Sequence, residues 1–289
     1  MVGVRALRII DKKDLSMKEI DFNQLQNING IYYEIDTQIP FTGKSKRYYE
    51  SDDCDGYREI TYRNGLEDGP FKTYGEDGLL LFEGSYKNGL EEGPYKKYYE
   101  NGGVEKEGSY RNGLEEGPYK IFYKNGAVRL VGNYNNGLED GPYNRYYESG
   151  RILRKGTKKN GLPEGICESY YENGQLWGVV FCKDGKQEGL SRYYYESGQL
   201  WWEMTYKSGL ENGHSIHYYE NGKVNCDAII ENNLKEGPYK RYYESGQLME
   251  EGTYKNDLLE GVFKSYCDDG QLASEEIYKD GQLIMGKNK

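Results

Sequence analysis

Residues 93–116 read GPYKKYYENGGVEKEGSYRNGLEE, and residues 117–140 read GPYKIFYKNGAVRLVGNYNNGLED. Glycines and tyrosines recur while most other positions drift. Aligned on the leading glycine, repeats begin at Gly69, Gly93, Gly117, Gly141, Gly165, Gly189, Gly213, Gly237 and Gly261, each 24 residues after the last. An earlier repeat from Gly43 is 26 residues long, its extra residues falling in SDDCDG (51–56), where others have ENG. A fixed period of this length is the signature of stacked supersecondary units that bury their apolar faces only against neighbours.

Within a repeat numbered from its leading glycine, position 10 is always Gly, preceded by Asn, Ser or Asp. Position 21 is Gly except at Asn233 and Asp257, the side chains that best tolerate positive φ. Both sites read as two-residue hairpin turns of the Asn-Gly type, so each repeat is two antiparallel strands in a continuous meander. Proline at position 2 (Pro70, Pro94, Pro118, Pro142, Pro238) fits a bulge or edge, where no ladder donor is needed. The first turn sets positions 8 and 11 opposite each other, which pairs position 4 with position 15: Lys72–Glu83, Lys96–Glu107, Arg192–Glu203, Lys240–Glu251 and Lys264–Glu275. Opposite charges facing across a ladder are what strand pairing favours.

That register places positions 3, 7, 12, 16 and 18 on one face, namely Tyr95, Tyr99, Val104, Gly108 and Tyr110, with the position-3 ring over the position-16 glycine. Positions 4, 6, 13, 15 and 17 form the other face, with an aromatic at position 6 from Tyr74 to Tyr266. The predicted fold is all-β, an elongated single-layer antiparallel hairpin array of about ten repeats over 43–289, behind a divergent N-terminal cap over 1–42. Helix is expected only before Asn29.

Composition agrees. Gly 39 and Tyr 32 are high, hydrophobic content is 36% and mean hydropathy is -0.96, so buried area must come largely from tyrosine rings. A net charge of -10 and a pI near 5.0 disfavour nucleic acid and anionic lipid, both of which reward cationic surfaces. Apolar runs such as 79–82 are too short to span a bilayer. The start, MVGVRALRIIDKKDLS, has no signal-like apolar core, so a cytoplasmic protein is expected. Five cysteines (Cys54, Cys167, Cys182, Cys226, Cys267) at five different repeat positions read as free thiols.

Residues 165–236 depart most from the pattern. Their three repeats open Ile166-Cys167, Leu190-Ser191 and His214-Ser215, and they hold every tryptophan and both histidines. Trp177 and Trp201 occupy position 13, predicted opposite Tyr170 and Tyr194. Trp202, at position 14, is predicted opposite Tyr193 on the other face, giving an aromatic cluster on each side. The candidate partner-binding residues are Trp177, Tyr193, Tyr194, Trp201, Trp202 and His217. Large exposed aromatics mark hot spots. The same rings also suit structural compensation for lost tyrosines, with Trp202 standing in for position 3, or the filling of a bend.

No catalytic constellation is present. His214 and His217, with Cys226 predicted opposite His217, lack the further ligands a metal centre needs. The acidic residues at positions 8 and 22–24 recur in repeat after repeat, which catalysis does not require, and read as solvated edge charges. No catalytic residue, metal or cofactor is expected.

The pattern GxYKxYYENGQLxxEGxYKNGLxEG from Gly69 to the C-terminus resembles the MORN-repeat variant family, in particular the group labelled YwqK-type antitoxins. The segment NGIYYEIDTQIPFTGKSKRYYES (29–51) is similar to that group's N-terminal signature. The resemblance implies a hairpin array that binds a protein or ligand, and its label implies neutralisation of a toxin. The leading expectation is a non-enzymatic protein binder, in its narrower form an antitoxin or immunity protein that occludes a basic partner. A self-associating homo-oligomeric scaffold and a carbohydrate-binding aromatic ladder remain alternatives.

Overall fold

The computed structural model describes residues 17–49 and 56–288. The N-terminal stretch 1–16 and the insertion at 50–55, with Cys54, lie outside them. The described residues are strands joined by tight turns, with one 3-10 turn at Phe22–Gln24. Twenty-seven strands belong to one sheet, and the hairpin Leu25–Ile28 and Ile31–Glu34 forms a second, two-stranded one. The described residues group into two compact units, one comprising those up to 116 with 124–126 and the other 117–123 with those from 127 on.

The two turns of each repeat differ. At the second turn both central residues are left-handed, as at Asn88 (φ 51°) and Gly89 (φ 82°), which is the type I′ geometry that follows strand twist. Asn233 (φ 70°) and Asp257 (φ 64°) adopt it without glycine, as expected from their side chains. The first turn is not the expected two-residue type. Only its glycine is left-handed (Gly102, φ 79°), and the Tyr99 N–H donates to the Gly103 carbonyl at 2.8 Å, closing a three-residue loop. This is a type I turn followed by a left-handed residue, for which Asn-Gly serves equally well.

The longer loop moves the pairing at its mouth by one residue, so Tyr74 faces Leu80 and Tyr194 faces Leu200. A bulge at position 13 absorbs the difference. Beyond it the expected register holds, with Lys72 opposite Glu83, Lys96 opposite Glu107, Arg192 opposite Glu203, Lys240 opposite Glu251 and Lys264 opposite Glu275. A bulge re-aims the side chains around it, and this one decides the shape of the candidate site.

Size complementarity across positions 3 and 16 builds the core. A Cβ on Gly108 would lie 2.9 Å from the Tyr95 hydroxyl, and one on Gly132 2.8 Å from the Tyr119 ring. Where the aromatic is missing, its partner grows: Cys167 faces Val180, Ser191 faces Met204, and Ser215 faces Ala228. Met204 is fully buried. Volume is thus kept across the first two pairs while the donor strand changes, the kind of swap a close-packed interior tolerates; at the third pair, which is smaller, the Trp202 indole meets Ser215. In the first compact unit, Phe41, Ile60, Tyr62 and Phe71 close the core against Ile20, Leu25 and Tyr32 of the N-terminal segment.

Within the second unit, recurrent hydrogen bonds stitch neighbouring repeats together. The position-7 tyrosine hydroxyl donates to the position-6 carbonyl one repeat on, as in Tyr147 to Tyr170 (2.7 Å), Tyr171 to Tyr194 (2.8 Å), Tyr195 to Tyr218 (2.8 Å) and Tyr219 to Tyr242 (2.7 Å). The position-24 carboxylate accepts the N–H that opens the next type I′ turn: Glu164 from Asp184, Glu188 from Ser208, Glu236 from Asn256. These acids are therefore turn caps rather than purely solvated edge charges. Position-8 acids such as Glu172, Glu196, Glu220 and Glu244 do remain exposed.

Candidate functional site

Three strands carry the site: Leu176–Lys183, Gly189–Tyr194 and Leu200–Lys207, with Leu210–Tyr218 flanking the last. Tyr193 lies directly opposite Trp202, and Trp202 opposite His217, so three rings from three adjacent strands stand in register. They stack: Tyr193 to Trp202 at 5.0 Å between centroids and 18° between planes, Trp202 to His217 at 5.2 Å and 11°. Both faces of the Trp202 indole are occupied, and its Nε1–H donates to Ser215 Oγ at 3.0 Å.

The bulge then adds two more rings to the same face. Trp201 lies 6.4 Å from Trp202 and 6.3 Å from His217, while Trp177 meets Tyr193 edge-on at 5.5 Å. The expected division into a cluster on each side is thus corrected. At a bulge two consecutive residues oppose one, so Trp201 and Trp202 flank the same stack instead of alternating. Their expected partners change as well, because Tyr170 faces Leu176 and not Trp177.

Tyr194 follows Tyr193 along the strand and takes the opposite face by strand alternation. It stands apart from the row, and its carbonyl accepts the Tyr171 hydroxyl. Five of the six candidate residues are therefore brought together and one is not. Trp202 does not refill position 3 of its own repeat, since Met204 fills the space over Ser191; its indole instead meets Ser215, the position-3 residue of the next repeat.

Two core clusters adjoin the row, one of Cys167, Val180, Cys182 and the row's own Tyr193, the other of Met204, Ala228, Ile230 and Tyr239, with Trp202 packed against both. Exposure is uneven across the row: Trp177 is 40% exposed and Tyr193 7%, while Trp201, Trp202 and His217 are half-buried. Burial pushes the His217 pKa down and the Cys226 thiol up, which favours the neutral form of each. Tyr218 beside them is pushed up to about 12 by burial and by its hydrogen bond to Glu203, which Arg192 also contacts at 3.3 Å.

His217 and Cys226 do face each other, but His214 turns toward Asp227, 3.4 Å away. Among the described residues no group of three or more His, Cys, Asp or Glu side chains is placed to hold a metal ion. Cys167, Cys182, Cys226 and Cys267 are free thiols. No helix among the described residues is long and apolar enough to cross a membrane.

Sequence reasoning overlooked a second feature. Arg145 and Arg154 face each other directly across a strand pair, and Arg154 next faces Ser169. Together they line a cleft of about 380 Å³ that Trp177 also borders. Like charges at positions 5 and 14 were the readable signal.

Stacked two-stranded hairpins that hold one another by fixed-offset hydrogen bonds define a hairpin-repeat protein, with an aromatic row replacing the usual side chains in its central repeats. The chain belongs to the MORN repeat variant family, whose matches cover residues 67–88, 91–112, 115–136, 163–182, 187–208, 211–228, 235–256 and 259–280. No curated protein matches it. Among solved structures, the one titled "Crystal Structure of TcdB2-TccC3-TEV" aligns at 11% identity over 82% of this chain and 16% of that one, with a TM-score of 0.15. This chain thus spans about a sixth of that chain's length, and a likeness so slight carries no argument.

Proposed function

We propose that the chain binds a protein partner on the face bearing Trp177, Trp201 and the Tyr193–Trp202–His217 stack, and that it acts by covering the partner's working surface, as an antitoxin or immunity protein does. The observation that carries this reading is one contiguous aromatic row whose stacked interior is fixed and whose end is exposed. Trp202, Tyr193 and His217 are packed and fixed, while Trp177 stays 40% exposed beside them. A rigid aromatic anchor backed by a packed core loses little side-chain entropy on binding, which is what hot spots have in common. The exposed carboxylates Glu172, Glu196, Glu220 and Glu244 follow one line of turns beside it and suit a partner with a basic face.

The test is capture from lysate with wild type beside Trp177→Ala/Trp201→Ala, a variant that leaves the stacked Trp202 in place. The expected result is one specific partner whose capture falls by about tenfold or more in the variant and weakens as salt is raised. A partner retained equally by the variant would move the interface off this face. Size that grows with protein concentration and is abolished in the same variant would make the covering partner a second copy of the chain. The antitoxin form is tested with the captured partner in hand, by whether co-expression relieves its toxicity.

A further inference from the structure

The pair Arg145 and Arg154 is an anomaly in a chain of net charge -10. The two stand directly opposite on the strands Gly141–Tyr146 and Ile152–Lys159, where like charges repel. Another repeat with two cations at these positions shows how such a pair is normally relieved: Lys97 has Glu105 at 3.0 Å and Lys106 has Glu115 at 2.6 Å. Elsewhere Arg241 simply faces Glu250. Among the described residues neither Arg145 nor Arg154 has an ion pair, and Arg154 Nε is buried with no hydrogen-bond partner. An orphaned buried N–H on a guanidinium is costly, and the cost is lifted when an anion supplies the acceptor.

The surroundings say what kind of anion fits. The two guanidiniums and Ser169 lie on three successive strands, which offers two planar donor forks and a hydroxyl to one group of oxygens. Tyr147, Tyr171 and Trp177 also line the cleft, with Leu153 and Tyr170. Tyr147 and Tyr171 are held by their hydroxyl bonds to the next repeat, and Trp177 by its contact with Tyr193. An oxyanion seated on the arginines would have aromatic walls around its stem, and the cleft opens beside the aromatic row.

We infer that the cleft lined by Arg145, Arg154, Ser169 and Trp177 is an oxyanion-binding pocket that receives an acidic side chain of a polypeptide partner, its oxygens on the two arginines and its stem against the aromatic wall. The carrier of that anion rests on the partner-binding reading above; the pocket itself does not. The anion is a carboxylate or a phosphoryl group, which share this chemistry and which the experiment separates. A partner read here is basic over most of its face, with one acidic anchor where the acidic surface of this chain reverses sign.

The test is calorimetric titration of the full chain with phenyl phosphate, phenylacetate and inorganic phosphate, repeated on Arg154→Gln, Arg145→Gln and Trp177→Ala. One of the two aromatic anions is expected to bind at a single site, inorganic phosphate more weakly, with Arg154→Gln lowering affinity by about tenfold or more and Trp177→Ala by a smaller factor. Tighter binding of phenyl phosphate assigns a phosphoryl anchor, and tighter phenylacetate a carboxylate. Thermal unfolding gives an independent readout: either arginine variant should melt no lower than wild type, because it removes a repulsion and breaks no pair. Absence of binding by all three probes, or binding undiminished in both arginine variants, overturns the inference. If Arg154→Gln fails to fold, Arg145→Gln, on the more exposed partner, decides alone. Because the probes are small molecules, a failed titration leaves partner capture by Trp177 and Trp201 standing, and failed capture leaves the pocket standing.

Discussion

Ser191 and Met204 hold the most informative single contact in the chain. Most repeats put an aromatic at position 3 and glycine at position 16, but here the small residue faces a fully buried methionine. Met204→Gly leaves a void and should cost ~2–5 kcal/mol in urea unfolding. Ser191→Tyr overfills the site at about 1–3 kcal/mol. Together they restore the Tyr–Gly pair that the repeats from Gly93, Gly117, Gly141 and Gly237 carry, so the double variant should regain ~1 kcal/mol or more over the sum of the singles. Strict additivity would show that the two positions do not share one space. His217 sets a second prediction at this scale. Its pKa is lowered by burial, so the unfolded chain takes up its proton first as pH falls. The His217 contribution to stability is therefore complete above about pH 6.5 and is lost as pH drops toward the lowered folded value. Thermal midpoints should decline across that interval, and His217→Tyr should flatten the decline. An equal slope in that variant would place the proton elsewhere.

At the level of the hairpin, the position-24 carboxylate and the position-7 hydroxyl tie neighbouring repeats together. Removing the acceptor in Glu188→Ala frees the Ser208 N–H, so exchange at that amide should quicken and stability should fall by about 1 kcal/mol. Tyr195→Phe removes the bond to the Tyr218 carbonyl at a similar ~1 kcal/mol. Glu196→Ala, an exposed position-8 acid, should shift stability by less than about 0.5 kcal/mol; a larger effect would mean that the edge acids also hold the fold. Strand order, the second turn and the pairing of Lys72, Lys96, Arg192, Lys240 and Lys264 with their glutamates were all legible, because charge complementarity and Asn-Gly chemistry are local signals. The first turn was not. Asn-Gly suits a two-residue and a three-residue loop alike, and one added loop residue displaces every partner up to the next bulge. The site inherited that error: Trp201 and Trp202 were assigned to opposite faces because strict alternation leaves no room for a bulge. The arginine cleft was half legible: like charges at positions 5 and 14 could be read from the sequence, but not that no carboxylate arrives beside them, as one does beside Lys97 and Lys106.

For the molecule as a whole, contacts at a fixed sequence offset make stability close to a sum of repeats and their junctions. Deleting residues 237–260 removes one period and joins a position 24 to a position 1. That variant should fold, with circular dichroism of the same form and partner capture intact. Deleting only 237–248 joins strands half a period out of register, and should abolish the cooperative melt. Equal tolerance of both deletions would mean that the junction bonds contribute little.

The placing of the tryptophans has an optical consequence. All three belong to the aromatic row, while the 32 tyrosines are distributed along the chain. Light absorbed by nearby tyrosines can pass to indoles that lie in one place, so tryptophan emission from the native chain reports on that face and on nothing else. Trp177, with the most solvent around it, governs the red edge of the spectrum, and the stacked Trp202 the blue. A ligand settling on the row would shift one without the other, and the protein announces occupancy of its own surface without a label.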